Sequence, residues 1–131
     1  MLDHIGLAVK DMKKAKAFYK KALAPLGIAV IMEFSAKQTG DGSSHAGFGD
    51  PGKPYFWLGH SPKRKGASKI HVSFTASDRK AVDAFYKAAL KAGGKDNGKP
   101  GLRPHYHPNY YGAFVIDPDG NNVEAVCHSP A

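Results

Sequence analysis

Two histidines and one glutamate in this chain have the types and placement to hold a divalent metal ion, and an internal repeat picks them out. At an offset of 67 residues His4 falls on His71, Asp11 on Asp78, Lys13 on Lys80, and Ala17-Phe18-Tyr19-Lys20 on Ala84-Phe85-Tyr86-Lys87. From His4 to Gly27, 10 of 24 positions are identical without a gap. Further along, Asp50-Pro51 falls on Asp117-Pro118 and Trp57 on Glu124. Self-similarity of this kind marks a duplicated unit. A duplication carries equivalent strands of both copies to symmetry-related places, so it says which side chains can converge.

Strand side chains alternate between faces. In the first strand Ile5, Leu7 and Val9 share one face, and His4, Gly6 and Ala8 the other. In the fifth, Ile70, Val72 and Phe74 oppose His71, Ser73 and Thr75. The bulky faces suit packing under helices, and the histidine faces leave room above the sheet. In the last strand Glu124 shares a face with Asn122 and Val126. His4, His71 and Glu124 are therefore expected in one concavity, as a two-histidine, one-carboxylate set with open coordination positions. Taken singly, each has an ordinary alternative: a satisfied structural histidine, or a solvated glutamate. Being repeat mates is what lifts the two histidines above that.

The elements needed to position them are legible. Leu2–Val9 alternates as a strand. Asp11 caps a helix whose stripe is Met12, Ala15, Phe18, Tyr19, Ala22 and Leu23, ended by Pro25 and Gly27. Gly27–Phe34 reads as a strand, Asp41-Gly42 as a hairpin turn, His45–Gly49 as a short strand and Tyr55–His60 as the fourth. The second copy repeats the course: a strand over Ile70–Ala76, a helix capped by Asp78 and stopped at Gly93-Gly94, then strands over Tyr111–Ile116 and Asn122–Cys127. Lys95–Pro108, polar and rich in Gly and Pro, predicts a short or irregular strand. The expectation is an α+β fold: a single domain, 1–131, of two tandem βαβββ modules (1–60 and 68–128) joined by a linker, 61–67. They would form a cupped mixed sheet with helices on its convex face, since neither module alone buries much surface.

This pattern resembles the vicinal oxygen chelate superfamily, which includes glyoxalase I, extradiol ring-cleaving dioxygenases and the fosfomycin- and bleomycin-resistance proteins. The similarity rests on Asp3-His4-Ile5-Gly6-Leu7-Ala8-Val9 and Ile70-His71-Val72-Ser73-Phe74, on the paired Ala-Phe-Tyr-Lys-x-Ala-Leu helices, and on Asp117-Pro118-Asp119-Gly120-Asn121-x-Val123-Glu124. The resemblance implies a divalent metal (Fe, Mn, Ni or Zn) at the positions of His4, His71 and Glu124, a small-molecule substrate, and a homodimer. One departure matters. Glyoxalase I-type proteins carry a fourth ligand, usually glutamate, where this chain has Trp57, and an indole cannot ligate. Three protein ligands look more like a dioxygenase, yet dioxygenases commonly carry two tandem pairs of modules. The expected activity is thus ring-cleaving dioxygenase-type or glyoxalase-type lyase or isomerase chemistry. The alternatives are a non-catalytic resistance-type protein that binds a drug or metabolite, and a metal-free structural relic.

Other residues could serve the substrate. Trp57 is placed to stack on a planar ligand or to fill the space of a missing ligand. The stiff stretch from Arg103 to Tyr111 could cover the mouth of the cup: His105, His107 or Tyr111 as catalytic groups, Arg103 on a carboxylate or phosphate, Tyr110 as a hydrogen-bond donor. His105-x-His107 as metal ligands is a competing reading, and a rigid connection of packed rings is the plain one.

A formal net charge of +8 is spread mostly over helix faces, which favours an anionic small molecule only weakly and lacks the aromatic-laced stripe of a nucleic-acid site. No apolar run approaches the ~20 residues of a membrane span, and no secretory leader pattern is read at the start. The single cysteine, Cys127, rules out an internal disulfide and suits a reducing compartment. A cytoplasmic location is expected, with neither membrane nor nucleic acid as a partner.

Overall fold

The computed structural model describes residues 1–131. Its order is β1 (Ile5–Ala8), α1 (Met12–Leu23), a 3-10 turn (Ala24–Leu26), β2 (Ala29–Phe34), α2 (Ala36–Thr39), β3 (Ser44–Asp50) and β4 (Lys53–His60), then β5 (His71–Thr75), α3 (Arg79–Lys91), β6 (Lys95–Leu102), β7 (Tyr111–Ile116) and β8 (Asn122–Cys127). Both long helices start where an aspartate caps them. Asp11 accepts from the amide of Lys14, and Asp78 from that of Ala81, satisfying donors that a helix start leaves free. Pro25 lies in the 3-10 turn, and Gly27 ends the segment in the left-handed region at φ 78°, where a side chain would be strained.

The strands form two four-stranded mixed sheets, ordered β1-β4-β3-β2 and β5-β8-β7-β6. The duplication is thus repeated in topology. The parallel pair β1–β4 sets Gly6 beside Trp57, and β5–β8 sets Ser73 beside Glu124, at equivalent positions. The cup is divided rather than continuous, because β1 and β5 are edge strands and the two halves join through their helices. α1 lies on the first sheet, α3 on the second, and the two helices pack on each other. One core of 22 buried residues runs through both halves, and Phe56 meets Phe74 edge-on at 5.1 Å. Leu7, Val9, Phe74 and Ala76 are buried in it, as the bulky strand faces require.

One connection differs from the sequence expectation, and the β6 strand meets its expectation of being short or irregular in one of the two ways. Between β2 and β3 the chain does not make a tight hairpin at Asp41-Gly42. It first winds into α2, where Ser35 and Gln38 form a reciprocal capping box, a Ser-x-x-Gln signal that the Asp-Gly pair overshadowed. Asp41 then binds the amide and hydroxyl of Ser43, which hold its carboxyl down to about 2. The β6 strand is irregular but not short. It spans eight residues by bulging between Asp96 and Gly98 and again before Gly101, which lets its glycines and Pro100 lie on a sheet edge.

The halves are also tied by a buried hydrogen bond. Tyr19 of α1 donates to Asp117 Oδ2 at 2.5 Å, and burial followed by the charge of Asp117 pushes the phenol well above its usual range, so it stays a donor. Tyr19→Phe is expected to cost about 1–3 kcal/mol, because it removes a donor from a buried carboxylate. Urea unfolding checks this: the midpoint should fall with the slope unchanged, and an unmoved midpoint would show that the hydroxyl contributes nothing.

Candidate metal centre

The face of each sheet turned away from its helix is open and carries a histidine. His71 is the first residue of β5. Its Nδ1 lies 3.1 Å from the carbonyl oxygen of Asn122; a carbonyl only accepts, so Nδ1 donates there and Nε2 is the ring nitrogen turned to the recess. That Nε2 is 3.0 Å from Glu124 Oε1. Glu124 is 1% exposed, and its other oxygen accepts from the hydroxyl of Tyr110. Burial, then the hydrogen bond to Glu124, pushes the Tyr110 phenol up to about 12, so it remains protonated. Gly112 lies close under this pair, where a Cβ would be 3.2 Å from Glu124 Oε2 and from the Tyr110 ring. His71, Glu124, Tyr110, Tyr106 and Phe114 enclose a recess of about 310 Å³.

His4 precedes β1 on the open face of the other sheet. Its Nδ1 is 2.7 Å from Asp3 Oδ1. Asp3 also accepts from Lys53, and the His4 hydrogen bond followed by that ammonium holds its carboxyl below the usual range. The carboxylate therefore accepts a hydrogen bond from Nδ1, and His4 too directs Nε2 outward. Orienting an imidazole by an acceptor on its other nitrogen is the outer-shell pattern of metal-bound histidines. Asp3, His4, Lys53, Pro54 and Trp57 line a recess of about 340 Å³.

The donor set fits a divalent cation. Nε2 of His71 and Oε1 of Glu124 lie 3.0 Å apart, an approach that a shared proton satisfies and that places two potential ligands side by side. Within one chain, however, the three expected ligands do not converge. No group of three or more His, Cys, Asp or Glu side chains could hold an ion. A cleft of about 410 Å³ between the start of β1 and β5 includes His4 but neither His71 nor Glu124. The expectation was one concavity in a cupped sheet; His4 and the His71–Glu124 pair instead line separate recesses.

Trp57 lies on the open face as alternation requires, stacked on Phe34 at 6.2 Å and 14°. Its repeat mate explains the space. In the second module Glu124 pairs across strands with Phe114, and in the first Trp57 pairs with Gly47. The large ring has changed strands. A Cβ on Gly47 would lie 2.8 Å from the indole. Phe114, which walls the His71 recess and stacks on its ring, was not singled out by sequence; the Gly47-for-Phe114 exchange in the 67-residue repeat was the available signal. Asp3 was missed as well, although a carboxylate next to a histidine hinted at its orienting role.

The Arg103–Tyr111 stretch is closed by backbone bonds, from Arg103 to the Tyr110 carbonyl at 2.7 Å and from Tyr106 and His107 to the Arg103 carbonyl. Arg103 extends over the Phe114 ring and donates to the Lys99 carbonyl at 2.7 Å. His105 packs on Tyr106 at 4.2 Å. His107 meets His128 at 5.3 Å, and His128 in turn packs edge-on against Tyr110 at 5.2 Å. Tyr111 is a correction: alternation that turns Tyr110 to Glu124 turns Tyr111 to α3, where its hydroxyl donates to Asp83 at 2.7 Å and Arg79 covers its ring. It has no place in the candidate catalytic set.

Paired βαβββ units, each with a metal-suited imidazole on the open face of its sheet, define the class of fold. The chain belongs to the Glyoxalase/Bleomycin resistance protein/Dioxygenase superfamily, whose sequence profile matches residues 1–125. Among solved structures it is similar to a glyoxalase/bleomycin resistance protein from Albidiferax ferrireducens T118, at 26% identity and TM-score 0.76, covering 98% of this chain and 99% of that one. It is also similar to glyoxalase I from Zea mays, at 26% identity and TM-score 0.74; there it covers 96% of itself but 45% of the maize chain, and so spans less than half of it. A family enzyme from Burkholderia phytofirmans PsJN shares the fold at 18% identity and TM-score 0.69. No match was found among curated proteins. No helix is long and apolar enough to cross a membrane.

Gly47→Ala tests the indole's seat. The new methyl must displace Trp57, the sole tryptophan, so intrinsic fluorescence should shift toward the exposed value, with a loss of about 1–3 kcal/mol by overpacking. An unchanged spectrum would mean that Trp57 is not held over Gly47.

Proposed function

We propose that this chain forms a homodimeric metalloprotein that chelates a small oxygen-bearing substrate at an ion held by His71 and Glu124 of one copy and His4 of the other. The observation that carries this reading is the His71–Glu124 pair: two potential ligands 3.0 Å apart, with the imidazole's other nitrogen already committed to a carbonyl. His4 is oriented in the same way by Asp3 but lacks a carboxylate partner on its own sheet, because Trp57 occupies the equivalent place. Each module therefore carries part of a ligand set. The two open faces also expose apolar rings and chains, among them Phe34, Met32 and Tyr106, which favours covering them with a second copy.

When bound, a divalent ion (Fe, Mn, Ni or Zn) supplies Lewis-acid stabilisation of the anion developing on two adjacent substrate oxygens. The chain's own residues do the rest. Tyr110 holds Glu124 in a single orientation by donating to it. Trp57 withholds a fourth protein ligand, so a bidentate substrate finds open positions. Phe114 and Tyr106 wall the His71 recess against water and Trp57 walls that of His4, and Arg103, over the Phe114 ring, keeps free guanidinium donors at the rim for an anionic substituent. His105 and His107, on the loop beside this rim, are the candidates for proton transfer. The reaction class is glyoxalase-type isomerase or lyase chemistry, or ring-cleaving oxygenation, in a protein whose buried free thiol, Cys127, suits the cytoplasm. The Trp57–Phe34 stack favours one second reading, a non-catalytic protein that sequesters a planar drug or metabolite.

Metal content decides the main reading. Protein purified without air and reloaded with Fe, Mn, Ni or Zn should hold about one ion per chain, and His71→Ala and Glu124→Ala should each lose it. No metal above trace level would sink the proposal. Oxygen uptake with catechols, or consumption of a methylglyoxal–thiol adduct, then selects the chemistry; tight binding of an aromatic ligand without either would favour sequestration.

A further inference from the structure

A second cavity, of about 410 Å³, lies on another part of the molecule and shares no residue with the recesses of His4 or of His71 and Glu124. Its walls are Lys10 and Lys14 at the start of α1, Lys69 ahead of β5, Lys95 at the start of β6, the Ala92-Gly93 end of α3, and the turn from Ile116 to Gly120. Four exposed lysines line it, and none is in an ion pair; the only lysines so engaged are Lys16 and Lys53. Of the two carboxylates in the wall, Asp117 is buried and fully occupied by Tyr19, Asn121 and backbone amides. Asp119 is turned to the backbone amide of Lys10 at 3.4 Å. Four lysines against two carboxylates leave the wall with a surplus of positive charge, and like charges repel one another, so the arrangement is one that an anion would stabilise.

The turn is shaped around one of these lysines. Lys69 Nζ donates to the Asp119 carbonyl at 2.5 Å and lies across Gly120, where a Cβ would collide with it. The ammonium is thereby fixed at the groove wall. The lining also narrows the choice of ligand. No aromatic ring faces the groove, so nothing offers the stacking that a nucleobase would find in a nucleic-acid channel. Lysines without arginine provide point charges suited to several oxygens rather than the flat fork that fits one carboxylate.

We propose that the groove bounded by Lys10, Lys14, Lys69 and Lys95 is a binding site for a small oxyanion of two or more negative charges, of the diphosphate or phosphorylated-metabolite class. The site is independent of the metal centre. Isothermal titration of the full-length protein with inorganic diphosphate at low salt tests it. The expected result is one saturable site per chain, weakened by added NaCl and at least about tenfold weaker in Lys10→Gln/Lys14→Gln. Those two side chains are exposed and make no contact that folding needs. Lys69→Gln should weaken binding as well, and His71→Ala should leave it unchanged. The proposal is overturned by the absence of a saturable site, by binding that survives in both lysine variants, or by binding that disappears in His71→Ala, which would put the anion on a metal. Tighter binding of a short oligothymidylate that displaces diphosphate would equally overturn it, in favour of nucleic acid.

Discussion

The carboxylate of Asp117 fixes the geometry on which both the fold and the site depend. It is 4% exposed and receives four donors: the amides of Asp119 and Asn121 at 2.8 Å, Asn121 Nδ2 at 2.9 Å and Tyr19 OH at 2.5 Å. A charge buried this deeply is tolerated only when its lone pairs are met. Satisfying it closes the turn before β8 and turns Asn121 so that its side-chain oxygen accepts from the amide of Ile70 at 2.8 Å. That bond sets the register of β5 against β8, with His71 opposite Asn122 and Ser73 opposite Glu124. A slip of one residue would turn Glu124 into the helix-facing core and a valine or alanine toward His71. The same carboxylate anchors α1, and so joins the half that carries His4 to the half that carries Glu124.

The two modules have diverged around a shared frame. Their strand orders match, their aspartate caps match, and a histidine oriented through Nδ1 stands just before β1 and at the start of β5. They differ where chemistry would occur. One module pairs a carboxylate with a phenylalanine across β7 and β8, the other an indole with a glycine across β3 and β4. Each pairing fills its sheet face with one large ring, so packing is conserved while charge is not. A buried carboxylate in both modules would have required a second set of partners like Tyr110 and His71, and Trp57 removes that requirement. The cost is that one module alone cannot complete a site.

Much of this was legible in the sequence. The repeat fixed the element order, and apolar periodicity with Asp11 and Asp78 located the helices. Alternation placed His4, His71, Trp57 and Glu124 on the open faces, because the period of two is insensitive to small errors in strand ends. What could not be read depended on three-dimensional packing. Alternation says which face a side chain takes, not which recess that face lines, and so it brought His4 to His71 within one chain where the two line separate recesses. The same reasoning, applied to Tyr110, would have turned Tyr111 away from the cup; its position in a Pro-rich stretch concealed that it begins β7. The helical turn α2 arises from local backbone bonds that composition describes poorly, whereas the irregularity of β6 was legible in its Gly and Pro content.

The central claim is that a site is shared between two copies, and mixing two inactive variants tests it directly. His4→Ala and His71→Ala, each unable to retain metal alone, would be unfolded, mixed in equal amounts, refolded and assayed for bound metal. A shared site predicts recovery in about a quarter of the sites, since half the dimers are mixed and each mixed dimer rebuilds one intact site. No recovery in a mixture that has demonstrably formed mixed dimers would contradict the account and place all three ligands within one chain.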